Sequence, residues 1–152
     1  MKLNIGCGLA MQDDCVNVDV RALPGAVVAD ARKLPFGSEV FEEVYALDVI
    51  EHMTAQDAET ALSEISRVLT AEGKAFFQLP SLRGIVDEYL LGVSAEKVSW
   101  WLFGGQDYKE NYHYVVYDES SFERALKRNG LAVVKFEQNG TNMNVEVKKW
   151  RE

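Results

Sequence analysis

Leu3-Asn4-Ile5-Gly6-Cys7-Gly8, followed by Val16-Asn17-Val18-Asp19-Val20, decides how the rest of the chain reads. An apolar run that breaks at Gly-x-Gly predicts a buried parallel strand ending where the backbone must approach something closely, and the next strand ends in a carboxylate. The outline is that of a nucleotide or nucleoside site; the competing reading is an ordinary tight turn after a strand. Spacing narrows the ligand. A dinucleotide fingerprint needs a third glycine three residues after the second and an acid about twenty residues on. Here the third place holds Met11, and Asp19 follows Gly8 too soon, which disfavours NAD.

Working outward, 152 residues suffice for one domain with a sizeable core but not for two, so residues 1–152 are expected to form a single domain. Apolar residues make up 47% and charged residues 26%, a globular composition. No apolar run reaches the length of a membrane span and no secretory leader opens the chain, so a cytoplasmic location is expected, away from membranes. The net charge of -8 opposes a polyphosphate backbone, and no basic run interrupts it, which argues against nucleic-acid partners. Cys7 and Cys15 are too few and wrongly spaced for a metal site, and no metal is expected. Cys7 reads as the small side chain that fits between two glycines.

Strands are predicted at Lys2–Ile5, Val16–Val20, and Val27 to Ala29 before Asp30, all short and apolar as strands buried on both faces are. Only Leu9 to Cys15 joins the first two. Seven extended residues reach about 25 Å, enough to return along a short strand but not to form a covering helix. One sheet face should therefore be thinly covered. Phe41 to Leu47 reads as a fourth strand, followed by Asp48-Val49-Ile50-Glu51-His52 at a strand-to-helix junction. Thr54 and Asp57 form a near capping box, and Ala58, Ala61, Leu62, Ile65, Val68 and Leu69 recur at helical spacing until Gly73 stops the helix. Lys74 to Leu79 gives a fifth strand ended by Pro80. Gly84–Leu91 and Ala95–Phe103 read as helices, and an aromatic-rich loop covers 104–114. Asp118 is a candidate N-cap for a helix bearing Phe122, Ala125 and Leu126. Leu131–Glu137 and Asn144–Lys149, joined through Asn139-Gly140, read as an antiparallel pair.

Gly6, Gly8, Asp19 and the further strand-end Asp30, with the order of elements from Leu3 to about Pro80, resemble the class I S-adenosylmethionine-dependent methyltransferases, in particular small, truncated members of the type 11 group. The resemblance implies an α/β, Rossmann-like fold: a mostly parallel sheet ending in an antiparallel strand pair, here with the first crossover helix shortened or absent. It implies S-adenosylmethionine as cofactor, S-adenosylhomocysteine as product, and methyl transfer to a small-molecule or sugar-type acceptor. The alternatives are a catalytically silent cofactor-binding module or a structural partner subunit.

By that resemblance Gly6, Cys7 and Gly8 would wall the methionine part of the cofactor. Asn4 stands where family members often carry an acid, and could equally tie its strand to a neighbour. Asp19, with Val20, would take the ribose hydroxyls in charge-assisted hydrogen bonds, or else cap the following turn. Asp30 and the Ala31 amide would read adenine, or Asp30 would cap a turn through Arg32. Asp48 and Val49 would line the sulfonium end, while Glu51 and His52 would pin the next helix. Residues 81–116 are expected to form a lid or substrate insertion. Within it His113, between Tyr112 and Tyr114, is the candidate base for an acceptor that must lose a proton, against a plain packing role. Trp100, Trp101 and Phe103 read first as core or interface and second, Trp101 above all, as a wall for an apolar substrate. These apolar side chains and the thinly covered face also predict a homodimer or another stable partner.

Overall fold

In a computed structural model, residues 1–150 build one seven-stranded sheet flanked by four α-helices. The strands are β1 Lys2–Ile5, β2 Cys15–Asp19, β3 Val27–Val28, β4 Phe41–Leu47, β5 Leu69–Pro80, β6 Leu131–Asn139 and β7 Asn142–Lys149. Their order is β3-β2-β1-β4-β5-β7-β6. The first five are parallel, and β7 runs antiparallel to both β5 and β6. This is the Rossmann-like arrangement expected, antiparallel end pair included. The chain order reverses beside β1, and in open α/β sheets the crevice at such a reversal, outside the carboxyl ends of the strands, is where ligands bind.

Strand register explains which face is buried. Leu3 stands beside Val16 and Val44, and Ile5 beside Val18 and Ala46. Ala75, Phe77, Val145 and Val147 continue the same face across β5 and β7. All except Val16, which is partly buried, are fully inside. The helices α1 Ala55–Val68 and α4 Glu119–Arg128 supply the other half of this core through Ala58, Ala61, Leu62 and Ile65, and through Phe122, Ala125 and Leu126. Phe122 meets Phe77 edge-on at 5.4 Å, and burying such a ring contributes about 2–3 kcal/mol.

The opposite face has no such cover. The connection from β1 to β2 is a helix-free loop, and Tyr45 stacks on Phe76 at 5.1 Å in a shallow groove shared with Leu47, Asn144 and Glu146. The thin cover expected from the short first crossover is what the structure has.

α4 begins with a complete capping box: the Asp118 carboxylate accepts the Ser121 N–H, and the Ser121 hydroxyl accepts the Asp118 N–H. Replacing Asp118 by alanine should cost about 1 kcal/mol and lower the melting midpoint by about 3 °C in a thermal scan. A midpoint unchanged within error would mean that tertiary packing alone fixes this helix.

Several boundaries differ from the sequence reading. β2 ends at Asp19 rather than Val20, β3 stops at Val28, α2 spans Leu82–Leu90, and β6 and β7 are each extended towards their turn. The largest difference is at Gly73, which does not stop α1. Leu69 is already extended, with φ -72° and ψ 133°, because it pairs with Phe41, while the Val40 and Glu39 amides take the carbonyls of Val68 and Arg67. The pairing then jumps to Glu43 beside Lys74, so residues 70–73 form a bulge in β5. Gly73 serves that bulge: a Cβ there would lie 2.8 Å from the Leu69 side chain. The helix α3 Ala95–Phe103 matches its expected span, but none of its residues is buried, which removes the core role for Trp100, Trp101 and Phe103.

Candidate active site

Every expected cofactor residue lies on the first four strands or just past their carboxyl ends. Gly6 takes φ +64° directly after β1, and a Cβ on it would meet Val49 Cγ2 at 2.5 Å, so only glycine lets this turn pack under the end of β4. Gly8 takes φ +50°. Between them Cys7 is buried, its N–H held by the Val18 carbonyl at 3.0 Å. Burial, reinforced by the Asp19 charge, pushes its thiol up, so Cys7 is a packing residue and not a nucleophile.

Asn4 has the tying role. Its amide donates to the Ala10 carbonyl and to Asn17 Oδ1, while Asn17 closes the same short loop through Gln12. These bonds replace the missing crossover helix as the support of the glycine turn.

Asp19 sits at the end of β2 with only 4% exposure. Its Oδ2 accepts the Gly8 N–H at 2.9 Å, and its Oδ1 accepts the Arg21 N–H at 2.9 Å. The Arg21 guanidinium closes on both oxygens, at 3.0 and 3.3 Å, and stacks over the Tyr108 ring at 5.6 Å. Burial alone would push this carboxyl up, but the Arg21 and Gly8 donors outweigh it and hold it below the usual carboxylate range. Asp19 is thus an ionised acceptor tied to the glycine turn, with an arginine across its open side. Asp30 repeats the pattern: Arg32 donates its N–H and its guanidinium to it and also pairs with Asp57. Val20 is exposed beside Asp19, and Ala31 is buried.

Asp48 takes φ +54° at the end of β4, and its Oδ2 accepts from Gln78 at 2.8 Å. The adjoining 3-10 turn, Ile50–His52, corrects the sequence reading. Glu51 and His52 do not pin the following helix; Thr54 does, accepting the Asp57 N–H. Instead His52 Nδ1 lies 3.1 Å from the Tyr112 carbonyl, and the Tyr114 N–H donates to the Glu51 carbonyl at 2.8 Å. The expected substrate residues Tyr112, His113 and Tyr114 are therefore strapped to the end of β4. His113 is further held by Phe103 through its N–H and by the Trp101 carbonyl at its Nδ1. Trp101 meets this strap through its backbone, while its ring faces Lys97 at 5.2 Å. Burial lowers the pKa of both histidines, so both imidazoles are neutral at pH 7.

Arg21 and Tyr108 were not anticipated. The signal was in the text, since Asp19-Val20-Arg21 and Asp30-Ala31-Arg32 repeat one Asp-x-Arg spacing that lets an arginine fold back on its own carboxylate.

Residues 9–77 match a family model described as a methyltransferase domain. That stretch, just under half of the chain, supports the resemblance to the class I S-adenosylmethionine-dependent methyltransferases. No curated protein sequence matches this chain significantly. Among solved structures, it is similar to the PH0226 protein of Pyrococcus horikoshii OT3, with TM-score 0.73 and 20% identity over 97% of this chain and 81% of that one. It is also similar to an S-adenosylmethionine-dependent methyltransferase from Clostridium acetobutylicum, with TM-score 0.70 and 14% identity over 99% and 84%. A third is the 1,6-didemethyltoxoflavin-N1-methyltransferase of Burkholderia thailandensis, with bound 1,6-didemethyltoxoflavin and S-adenosylhomocysteine: TM-score 0.69 and 13% identity over 99% and 71%. At these identities the likeness is one of fold. Among the described residues no helix is long and apolar enough to cross a membrane.

Proposed function

We propose that this methyltransferase moves a methyl group from S-adenosylmethionine to a hydroxyl or amine of a small-molecule or sugar-type acceptor held under the 104–114 loop. One observation carries the reading: the loop reaches both sides of the glycine turn, with Tyr108 over the arginine that holds Asp19 and His113 strapped to the turn after β4. The residues fit the cofactor. At Gly8 a Cβ would meet only the Arg21 guanidinium, at 3.5 Å, so once Arg21 swings aside the turn is open there and Asp19 is an ionised acceptor for ribose hydroxyls. Asp30 and Ala31 stand where adenine would be read, and Asp48 and Val49 where the sulfonium end would lie.

The bound cofactor supplies a methyl carbon activated by positive sulfur. The chain has to hold the acceptor in line, exclude water and, for a hydroxyl or ammonium acceptor, remove a proton. His113 suits the last task. Its Nδ1 proton is engaged by the Trp101 carbonyl, so its Nε2 keeps a free lone pair. Residues 81–116 act as the lid, with Trp100 and Phe103 exposed on its outer side.

Mass spectrometry of mixtures with S-adenosylmethionine and a panel of hydroxyl and amine acceptors tests the reading. Methylated product that falls on the order of 100-fold in His113→Gln supports it. Cofactor binding without turnover on any acceptor would instead favour a silent binding module. Arg21 gives a separate expectation. The Arg21→Ala variant should bind S-adenosylhomocysteine several-fold more tightly, because a partly solvated ion pair worth about 1 kcal/mol no longer competes for Asp19. Weaker binding would show that Arg21 belongs to the ligand's own contacts.

A further inference from the structure

Glu51, His52 and His113 converge where the turn after β4 meets the strap. One donor atom from each lies within 4.8 Å of the other two. Glu51 is 1% exposed, and its Oε2 has no hydrogen-bond partner. No lysine or arginine pairs with it among the described residues. An acceptor buried in that state is costly, and a buried carboxylate more so, unless a cation or a proton joins it.

Each histidine can keep one ring nitrogen free for a cation. Each places Nδ1 against a backbone carbonyl, His52 on Tyr112 at 3.1 Å and His113 on Trp101 at 3.0 Å. A carbonyl only accepts, so the proton resides on Nδ1 and Nε2 is left with a free lone pair. Ligating histidines are held this way, the outer ring nitrogen donating to a carbonyl or carboxylate that fixes tautomer and ring angle. The two rings stand edge to face, 4.8 Å between centroids and 74° between planes, so they do not stack and block each other. The strap itself is fixed by the Tyr114 amide on the Glu51 carbonyl and the His113 amide on the Phe103 carbonyl, which brings a histidine sixty residues away in sequence onto the Glu-His turn.

We propose that Glu51, His52 and His113 form a binding site for a divalent transition-metal ion of the zinc type. Two imidazole nitrogens and one carboxylate oxygen suit Zn²⁺ or Co²⁺, whereas Mg²⁺ and Ca²⁺ prefer oxygen alone. Drawing the donors in to about 3.3 Å from one another gives three corners of a tetrahedron around an ion at about 2.0–2.1 Å, with the fourth position open. The Asp48 carboxylate, four residues before His52, adds negative charge at the same edge. With the ion bound, His113 spends its Nε2 lone pair as a ligand and no longer serves as a base; if the acceptor binds under the strap, the ion would polarise its hydroxyl and lower its pKa instead, a consequence that rests on the proposed function, whereas metal binding does not.

The test uses the full chain without a polyhistidine tag, stripped by chelator and with no cofactor added, so that its outcome is independent of methyl transfer. Titration with CoCl₂ should give saturable visible absorption at one ion per chain, lost when equimolar ZnCl₂ is added. Glu51→Gln and His113→Gln, each checked for native circular dichroism, should weaken Zn²⁺ binding on the order of 100-fold. Absence of saturable absorption in the wild-type chain at millimolar Co²⁺ overturns the site, whether or not a variant folds. Unchanged binding in His113→Gln, or Mg²⁺ bound more tightly than Zn²⁺, overturns it as well.

Discussion

In metal-free protein, Glu51→Gln should raise stability at pH 8 by about 2–4 kcal/mol and flatten its dependence on pH. Burial, with a smaller contribution from Asp48, pushes the Glu51 carboxyl up to about 8 from its ordinary 4.5. The folded state therefore holds a proton that the unfolded state releases. Its contribution to stability is fully present below about 4.5 and is lost as pH rises through about 8, a loss on the order of 4 kcal/mol. Glutamine keeps the shape without the ionisation, so the variant should follow the wild type at pH 4.5 and exceed it at pH 8. Urea unfolding at several pH values with chelator present measures this. A variant less stable than the wild type at pH 8 would show that the Glu51 carboxylate has a stabilising partner.

Asp19→Ala should weaken S-adenosylhomocysteine binding roughly 100-fold. Two hydrogen bonds from ribose hydroxyls to a carboxylate contribute about 3 kcal/mol together, and alanine removes both. The same change releases the Gly8 amide and the Arg21 guanidinium, so the free protein loses about 1 kcal/mol as well. The two effects separate in one differential scanning series. The midpoint without ligand falls slightly, while the ligand-induced rise, worth about 2.7 kcal/mol for the wild type at 100 times its Kd, nearly vanishes. An undiminished rise would move the ribose away from Asp19.

Much of this architecture can be read from short signals. Leu3-Asn4-Ile5 before Gly6 and Val16-Asn17-Val18 before Asp19 give strand, turn and carboxylate without tertiary knowledge. Asp118 as N-cap, and the spacing of Phe122, Ala125 and Leu126, likewise place α4. The start of β5 was hidden because Thr70-Ala71-Glu72-Gly73 has the composition of a fraying helix end. Only the pairing of Leu69 with Phe41 on another strand converts it to a bulge.

The site divides in the same way. Gly6, Gly8 and Asp19 are neighbours in sequence and in space, so their chemistry is legible locally. The contact of His52 with the strap carrying His113 is made across sixty residues by backbone hydrogen bonds, which no periodicity encodes. Glu51 read as a helix-pinning acid because Glu-His before a helix usually is one, and burial without a partner becomes visible only once the strap is bonded to its turn.

The most direct test of the cofactor site is calorimetric titration of the wild-type chain with S-adenosylhomocysteine. Saturable heat with one molecule bound per chain is expected. No detectable heat at millimolar ligand would contradict it, and with it the role of the Gly6–Gly8 turn and Asp19 as a nucleoside site.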